Sequence, residues 1–138
     1  MSFREFVQQL SQPQVDALVE IMYLAADADG EVSPDERLEL ATNIARLTDG
    51  ELDARRAANA IEAAAGRVGA ESREARLLAI RAVLAPEQRS HALMLAIQVT
   101  CADGLIRTSE RELILATAEA LDIPGETAAN LVQAVSSR

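Results

Sequence analysis

The sequence predicts an all-α fold, a single domain of about seven helices that occupies residues 1–138. Three observations support this fold class. Aromatic residues make up only 2% of a chain that is 49% hydrophobic, so the core must consist mainly of Ala, Leu, Ile and Val, and Ala has the highest helix propensity. Apolar residues recur at helical spacing, and Pro and Gly divide the chain into short segments. No stretch alternates apolar and polar residues convincingly, as a strand would.

Start and stop signals bound the first two long helices. We expect the first to begin at Ser11-Gln12-Pro13 and to stop at Gly30, with apolar residues at helical spacing in between. The second begins at Ser33, an N-cap for which Glu36 completes a capping box, and it extends to Gly50. Both helices are therefore predicted from local backbone chemistry.

The remaining helices follow the same punctuation. Residues 92–99, ALMLAIQV, are apolar on nearly every side of a helix that Pro86 opens, so we expect this helix to be central and fully buried. A short eighth helix at residues 2–10 would precede the others. The others are a third helix ending at Gly69, a fourth ending before Pro86, a sixth from Thr108 to Leu121 and a last one opened by Pro124.

Bulk composition excludes several classes of protein. No segment has the roughly 18 consecutive apolar residues of a membrane span, and the first residues, MSFREFVQQL, lack the apolar region of a signal peptide. A single cysteine, Cys101, excludes an internal disulfide. We therefore expect a cytoplasmic protein without membrane insertion. Nucleic acid is disfavoured as a partner, because the net charge is −9 and single strands are usually bound by aromatic platforms.

Charge is unevenly distributed along the chain. Residues 1–54 carry three Arg and twelve acidic residues, a net charge of −9, whereas residues 55–89 carry seven Arg and four acidic residues, a net charge of +3. Within the basic middle, Arg73, Arg76 and Arg81 form a stripe. Such a stripe is either a solvated helix face or a contact surface for an acidic protein partner, whose identity the sequence does not provide.

One short motif occurs twice, 74 residues apart. Residues 29–37, DGEVSPDER, match residues 103–111, DGLIRTSER, at the Asp, the Gly, a β-branched aliphatic residue, the Glu and the Arg. In both copies the Asp-Gly turn follows an unusually apolar helix and precedes another helix. The repeat predicts two hairpins related by a pseudo-twofold axis, with the apolar helices packed at the centre.

The doubled hairpin, the number of helices, the length and the acidic bias together resemble the TerB-like domain. That family is known from tellurite-resistance proteins and from the membrane-proximal segment of some J-domain co-chaperones, and the resemblance covers residues 12–136. It implies an all-helical, non-catalytic domain with acidic residues clustered at the two Asp-Gly turns, often proposed to bind metal. The residues that match the acidic motif are Asp29 and Glu36 in the first copy and Asp103 and Glu110 in the second.

The first copy fits an EF-hand calcium loop only in part. With Gly30 as the central glycine, Asp27, Asp29 and Glu36 fall at ligand positions. The first ligand position, however, is Ala25, where an EF-hand needs a carboxylate. We therefore reject an EF-hand.

Three interpretations of the acidic residues remain. If the pseudo-twofold axis brings the turns together, Asp27, Asp29, Glu36, Asp103 and Glu110 converge, and so many carboxylates stay ionised only beside a cation or guanidinium groups. In the first interpretation they bind a divalent cation, and oxygen ligands favour Ca²⁺, Mg²⁺ or Mn²⁺ over Zn²⁺. In the second, the arginine of each motif neutralises them. In the third, they are separate helix caps.

Other catalytic chemistry has little support. His91 and Cys101 lie about 15 Å apart along one helix and cannot form a dyad. We expect Cys101 to be a buried small residue and His91 to lie at the surface or to pack. By resemblance to the TerB-like family, the predicted function is a non-catalytic module that binds a cation in metal, tellurite or general stress response. The alternatives are a structural docking module without metal and, with weaker support, a hydrolase that uses the same carboxylates.

Overall fold

The computed structural model describes residues 2–27, 32–100 and 108–136. Eight helices and no strand occur among these residues, which confirms the all-α prediction, including the short N-terminal helix. The helices are α1 (Phe3–Gln8), α2 (Gln12–Ala26), α3 (Pro34–Leu47), α4 (Ala54–Ala70), α5 (Arg73–Val83), α6 (Pro86–Thr100), α7 (Thr108–Ala120) and α8 (Gly125–Ser136).

Helices α2 and α6 form the centre of the fold. α2 contacts α4, α5, α6 and α7, and the eight consecutive residues from Ala17 to Leu24 are all buried. On α6, Leu95 and Ile97 are fully buried while Met94 and Gln98 are half-buried. The predicted central position of α6 is confirmed, and α2 shares that position. The prediction that α6 is fully buried is wrong, since Met94 and Gln98 keep part of their surface in contact with solvent.

Capping geometry confirms the predicted start of α3. The backbone N–H of Glu36 donates to Oγ of Ser33 at 3.2 Å, and the Ser33 N–H donates to Oε1 of Glu36 at 3.1 Å, which completes a capping box. α1 and α2 begin with the same arrangement at Ser2 and Ser11. These bonds satisfy N–H groups for which a helix has no internal partner.

Helices α3 and α7, which begin within the two copies of the motif, end in the same way. At the end of α3 the Gly50 N–H donates to the Ala45 carbonyl at 2.8 Å, and Asp49 has a φ of 55°. A corresponding bond to the Ala118 carbonyl closes α7, with Asp122 at a φ of 58°. Both ends are Schellman motifs in which an aspartate takes the left-handed position that glycine usually holds. α3 therefore ends three residues before Gly50, to which it was predicted to extend.

The two predicted hairpins correspond to α2 with α3 and to α6 with α7. α2 packs against α6, α3 packs against α6, and α7 contacts α2. The turn residues 28–31 and 101–107, with Cys101, lie outside the described residues. The pseudo-twofold relationship therefore stays a prediction.

α4 is slightly longer than predicted. It continues through Gly66 and Gly69 to Ala70, where the Glu71 N–H still donates to the Arg67 carbonyl at 3.1 Å.

Within the part of the chain that the structure describes, no helix combines the length and the hydropathy that a bilayer crossing requires.

Candidate functional site

The first predicted acidic corner lies where α2 ends and α3 begins. Asp27 is the C-cap of α2, its N–H donating to the Tyr23 carbonyl, and Ser33 is the N-cap of α3. An open depression of ≈ 760 Å³ separates this corner from the end of α4. Its polar lining residues are Tyr23, Asp27, Ser33, Glu36 and Arg37. The structure thus brings two of the predicted ligands, Asp27 and Glu36, to one surface.

The Glu36 carboxylate is ionised at neutral pH. The backbone N–H of Ser33, and to a smaller extent its side chain, lower the pKa of Glu36, because hydrogen bonds to a carboxylate favour its charged form. The side chain is exposed at the first turn of α3. Glu36 therefore presents a negative charge to the depression.

Arg37 borders the depression, and its described hydrogen bonds go to α4 and to the chain before α3. Its Nη1 donates to both carboxylate oxygens of Glu62 at 3.1 and 3.0 Å, and its Nε donates to the Val32 carbonyl at 3.2 Å. The guanidinium carbon lies 6.0 Å from the centroid of the Tyr23 ring. The bond to Glu62 raises the pKa of Arg37. This arginine therefore holds α3 against α4.

A second guanidinium lies at the C-terminal end of α2. Nη2 of Arg73, on α5, donates to the Leu24 carbonyl at 3.1 Å. Burial, the largest effect, lowers the pKa of Arg73, whereas the charges of Asp27 and Glu74 raise it. A cation is favourable at this place because the last carbonyls of a helix carry partial negative charge.

Glu110 lines a different and much smaller cavity. It lies in the first turn of α7 and is half-buried. The cavity has a volume of ≈ 10 Å³, and its other lining residues are Ile21, Ala25, Leu93, Ala96, Ile97, Leu113, Ile114 and Thr117. Glu110 thus meets a mostly apolar surface between α2, α6 and α7.

The remaining predicted ligands, Asp29 and Asp103, lie outside the described residues. Convergence of the two acidic corners therefore stays a prediction. Across residues 2–27, 32–100 and 108–136, no group of three or more His, Cys, Asp and Glu side chains is arranged to hold a metal ion. Asp27 and Glu36 together would supply two side chains, and a hard cation such as Mg²⁺ commonly completes its shell with water.

Comparison with protein families identifies the domain. The family model described as "Tellurite resistance protein TerB" matches residues 15–133. The chain belongs to the TerB family. The resemblance inferred from the repeated motif is confirmed, and TerB domains are in general not enzymes. Searches of curated proteins and of solved structures found no match.

The arginines of the predicted basic stripe lie in different surroundings on the TerB domain. The Arg76 side chain is only 14% exposed, and its Nε lies 2.6 Å from Oε2 of Glu20. Arg73 binds the end of α2, as described above. The Arg81 side chain is 44% exposed, with Nη2 3.5 Å from Oδ2 of Asp122. Contact of the stripe with a partner stays a prediction, and Arg81 is the most accessible guanidinium for it.

Glu20 of this TerB domain was not among the predicted site residues, and its carboxylate is buried between α2, α4 and α5. It accepts hydrogen bonds from Nε of Arg67 at 2.6 Å and from Nε and Nη2 of Arg76 at 2.6 and 2.9 Å. A signal was present in the sequence. Glu20 is the one charged residue in the apolar run from Ala17 to Leu24, and an acid in such a run needs a buried counter-charge.

Proposed function

We propose that this TerB-family protein is a non-catalytic module that binds a divalent cation at the corner between α2 and α3. The observation that supports the proposal is that Asp27 and Glu36 line one open depression. Carboxylate ligands favour Ca²⁺, Mg²⁺ or Mn²⁺. The family name leads us to assign the module to metal, tellurite or general stress response.

Glu36 favours a cation in the depression, in competition with Arg73, whose charge already interacts with Asp27. Glu36 is held in its ionised form by Ser33, and the described hydrogen bonds of Arg37 go to Glu62 and Val32. In our proposal Asp29 joins Asp27 and Glu36 as a ligand. Asp103 and Glu110 of the second copy would contribute if the two corners meet.

The proposed mechanism is a link between two helices. Asp27 belongs to the end of α2, and Glu36 belongs to the first turn of α3. A cation shared by the two carboxylates would restrict the angle between these helices and neutralise part of the acidic surface. A partner that recognises this surface would then distinguish the loaded protein from the empty one.

Thermal unfolding during cation titration tests the proposal. At a concentration about a hundredfold above the dissociation constant, a bound cation stabilises the folded state by about 2.7 kcal/mol, which raises Tm by roughly 5–10 °C. Ca²⁺, Mg²⁺ and Mn²⁺ would be titrated separately into protein freed of metal with a chelator. The expected result is saturable stabilisation by at least one of them.

Variants locate the site. Glu36→Gln removes the charge but preserves the capping box, because glutamine is equally suited to this position. We expect this variant and Asp27→Asn to weaken the cation-dependent rise in Tm. Glu39→Gln, an exposed change on the same helix, serves as the matched control. If the cation raises Tm equally in all three variants and in the parent, the cation does not bind at this corner.

A docking module without metal is the second candidate. Leu38 on α3 and Leu78 on α5 are 65% and 59% exposed, and such large apolar side chains can serve as contacts for a protein partner. An unchanged Tm in all three cation titrations, with Asp27→Asn and Glu36→Gln as stable as the parent, would favour this candidate.

A further inference from the structure

The solvent-facing side of α5 is apolar. Three large hydrophobic side chains are exposed in the described part of the chain, and two of them, Leu78 (59%) and Val83 (39%), are on this helix. Ala75 and Ala82 are exposed on the same side, whereas Ile80 packs into the core on the opposite side. α5 is thus apolar on both sides, which is typical of a helix that is covered by protein.

The exposed residues follow the spacing of a helix–helix seam. Ala75, Leu78 and Ala82 are separated by three and then by four residues, which places them in one row along the helix. Alanine side chains are small, so a second helix can approach this row closely, and a leucine can fill the space beside the alanines of that helix. The row therefore fits a second helix.

Two opposite charges flank the row on one side. Glu74 and Arg81 are seven residues apart, so both lie on the same flank of α5. The charge of the exposed Glu74 also acts on the neighbouring Arg73. The Arg81 side chain is 44% exposed, and its 3.5 Å pair with the exposed Asp122 is weak. Glu74 and Arg81 can therefore both interact with a partner that covers the row.

We propose that α5 is a self-association surface, on which two copies of the chain pair through antiparallel α5 helices about a twofold axis. In this arrangement Leu78 of each copy packs beside Ala75 of the other, and Glu74 of each copy faces Arg81 of the other. The symmetry forms two opposite-charge pairs at once. A parallel pair would place Glu74 beside Ala79 of the other copy and would form neither charge pair. This charge complementarity is the reason for assigning the face to a second copy.

The contact between the two helices is small. α5 has 11 residues, which corresponds to about 16 Å of helix. Interfaces of this size are at the low end of the range for protein complexes and are weak or transient. We therefore expect a reversible dimer with a Kd of about 10 μM to 1 mM.

Sedimentation equilibrium of the full chain tests the proposal, in a chelator so that the result does not depend on cation binding. The concentration series extends to about 1 mM at about 0.15 M salt, which screens the repulsion between two acidic chains. We expect a monomer–dimer equilibrium that Leu78→Ala weakens at least about tenfold, because each dimer loses two leucines. Leu38→Ala, at a leucine of similar exposure on α3, is the matched control and should leave the equilibrium unchanged.

Two results would overturn the proposal. A monomer throughout the concentration series would leave the apolar face of α5 to a different protein. Equal effects of Leu78→Ala and Leu38→Ala on a dimer would place the interface elsewhere on the chain.

Exchange of charges tests the antiparallel arrangement. Glu74→Arg alone and Arg81→Glu alone each make both pairs repulsive and should weaken the dimer about tenfold. An equimolar mixture of these two variants has opposite charges across the interface again, so we expect a heterodimer with the affinity of the parent dimer. Glu39→Arg, the same change of charge at an exposed position on α3, is the control for net charge. A mixture that associates no better than its separate components would overturn the antiparallel pairing.

Discussion

Nε of Arg76 lies 2.6 Å from Oε2 of Glu20, a side chain of which only 1% is exposed. Nε of Arg67 lies 2.6 Å from the other carboxylate oxygen. Removing a carboxylate from water costs several kcal/mol, and the two guanidinium groups offset that cost only while both are present. The pair of bonds joins three helices, α2, α4 and α5.

Removal of one partner should destabilise the fold strongly. Arg76→Met leaves the buried Glu20 charge with one counter-charge, and we expect a loss of about 3–5 kcal/mol in the free energy of unfolding. Urea denaturation at neutral pH measures this loss. Arg81→Met is the matched control, since Arg81 is exposed and its 3.5 Å pair should change stability by about 0.5 kcal/mol or less. Similar losses in the two variants would contradict the assigned role of Arg76.

Replacement of the whole buried group should be far milder. In the triple variant Glu20→Leu/Arg67→Met/Arg76→Met no buried charge is left without a partner, and apolar side chains fill the space. Only the exposed Glu71 loses its bond to Arg76. We expect stability within about 1–2 kcal/mol of the parent, because buried ion pairs are often replaceable in this way. A triple variant less stable than Arg76→Met alone would show that packing, not charge, dominates here.

A buried hydroxyl is one of the groups that hold the turn between α3 and α4. Oγ1 of Thr48, a fully buried residue, donates to the Ile44 carbonyl at 2.7 Å and accepts the Leu52 N–H at 3.2 Å. Thr48→Val retains the shape but leaves that N–H without its acceptor, so we expect a loss of about 1–3 kcal/mol. Hydrogen exchange at Leu52 should accelerate in Thr48→Val but not in Thr48→Ser, which keeps the hydroxyl.

Two glycine-to-alanine substitutions should have opposite signs. Gly50 has a φ of 79°, and a Cβ there would meet no atom within 4 Å, so the cost of Gly50→Ala is backbone strain of about 1–2 kcal/mol. Gly66, inside α4 and equally free of neighbours, should gain about 0.5–1 kcal/mol as alanine. Thermal denaturation of the two variants measures both effects. A gain at Gly50 would be inconsistent with its left-handed conformation.

Stability at acid pH should depend on Glu36. Because its pKa is lower in the folded state than the unperturbed value of 4.5, its contribution is present above that value and is lost as pH falls through the folded-state pKa. Glu36→Gln retains the cap without the titration. Denaturation between about pH 3 and pH 6 should therefore show a shallower acid decline for the variant. If stability falls equally with pH in the variant and in the parent, the pKa of Glu36 is not lowered in the folded state.

Helix boundaries were predictable because their determinants are local. Ser33, Pro34 and Glu36 specify the start of α3 within four residues, and the geometry matches. The end of α3 was less predictable, because an aspartate, Asp49, took the left-handed position and Gly50 came one residue later. A glycine in the sequence indicates that a helix ends nearby, but it does not specify which residue first takes the left-handed conformation.

The candidate site was predictable only in part. The sequence indicated Asp27 and Glu36 as members of one acidic corner, and the structure places both in one depression. It did not indicate that Arg76 neutralises Glu20, because the two residues are 56 positions apart. Nor did it show that Arg37 would bond to Glu62 on α4.

By itself, the sequence determined the helical class, the helix starts and the repeated Asp-Gly motif that led to the TerB family. These features depend on spacing and capping within a few residues. Tertiary structure alone decided which arginines face the interior, which acids share a surface, and that α1 docks through Phe6 against His91. The physical reason is that charge pairing and ring stacking depend on how distant segments pack in space.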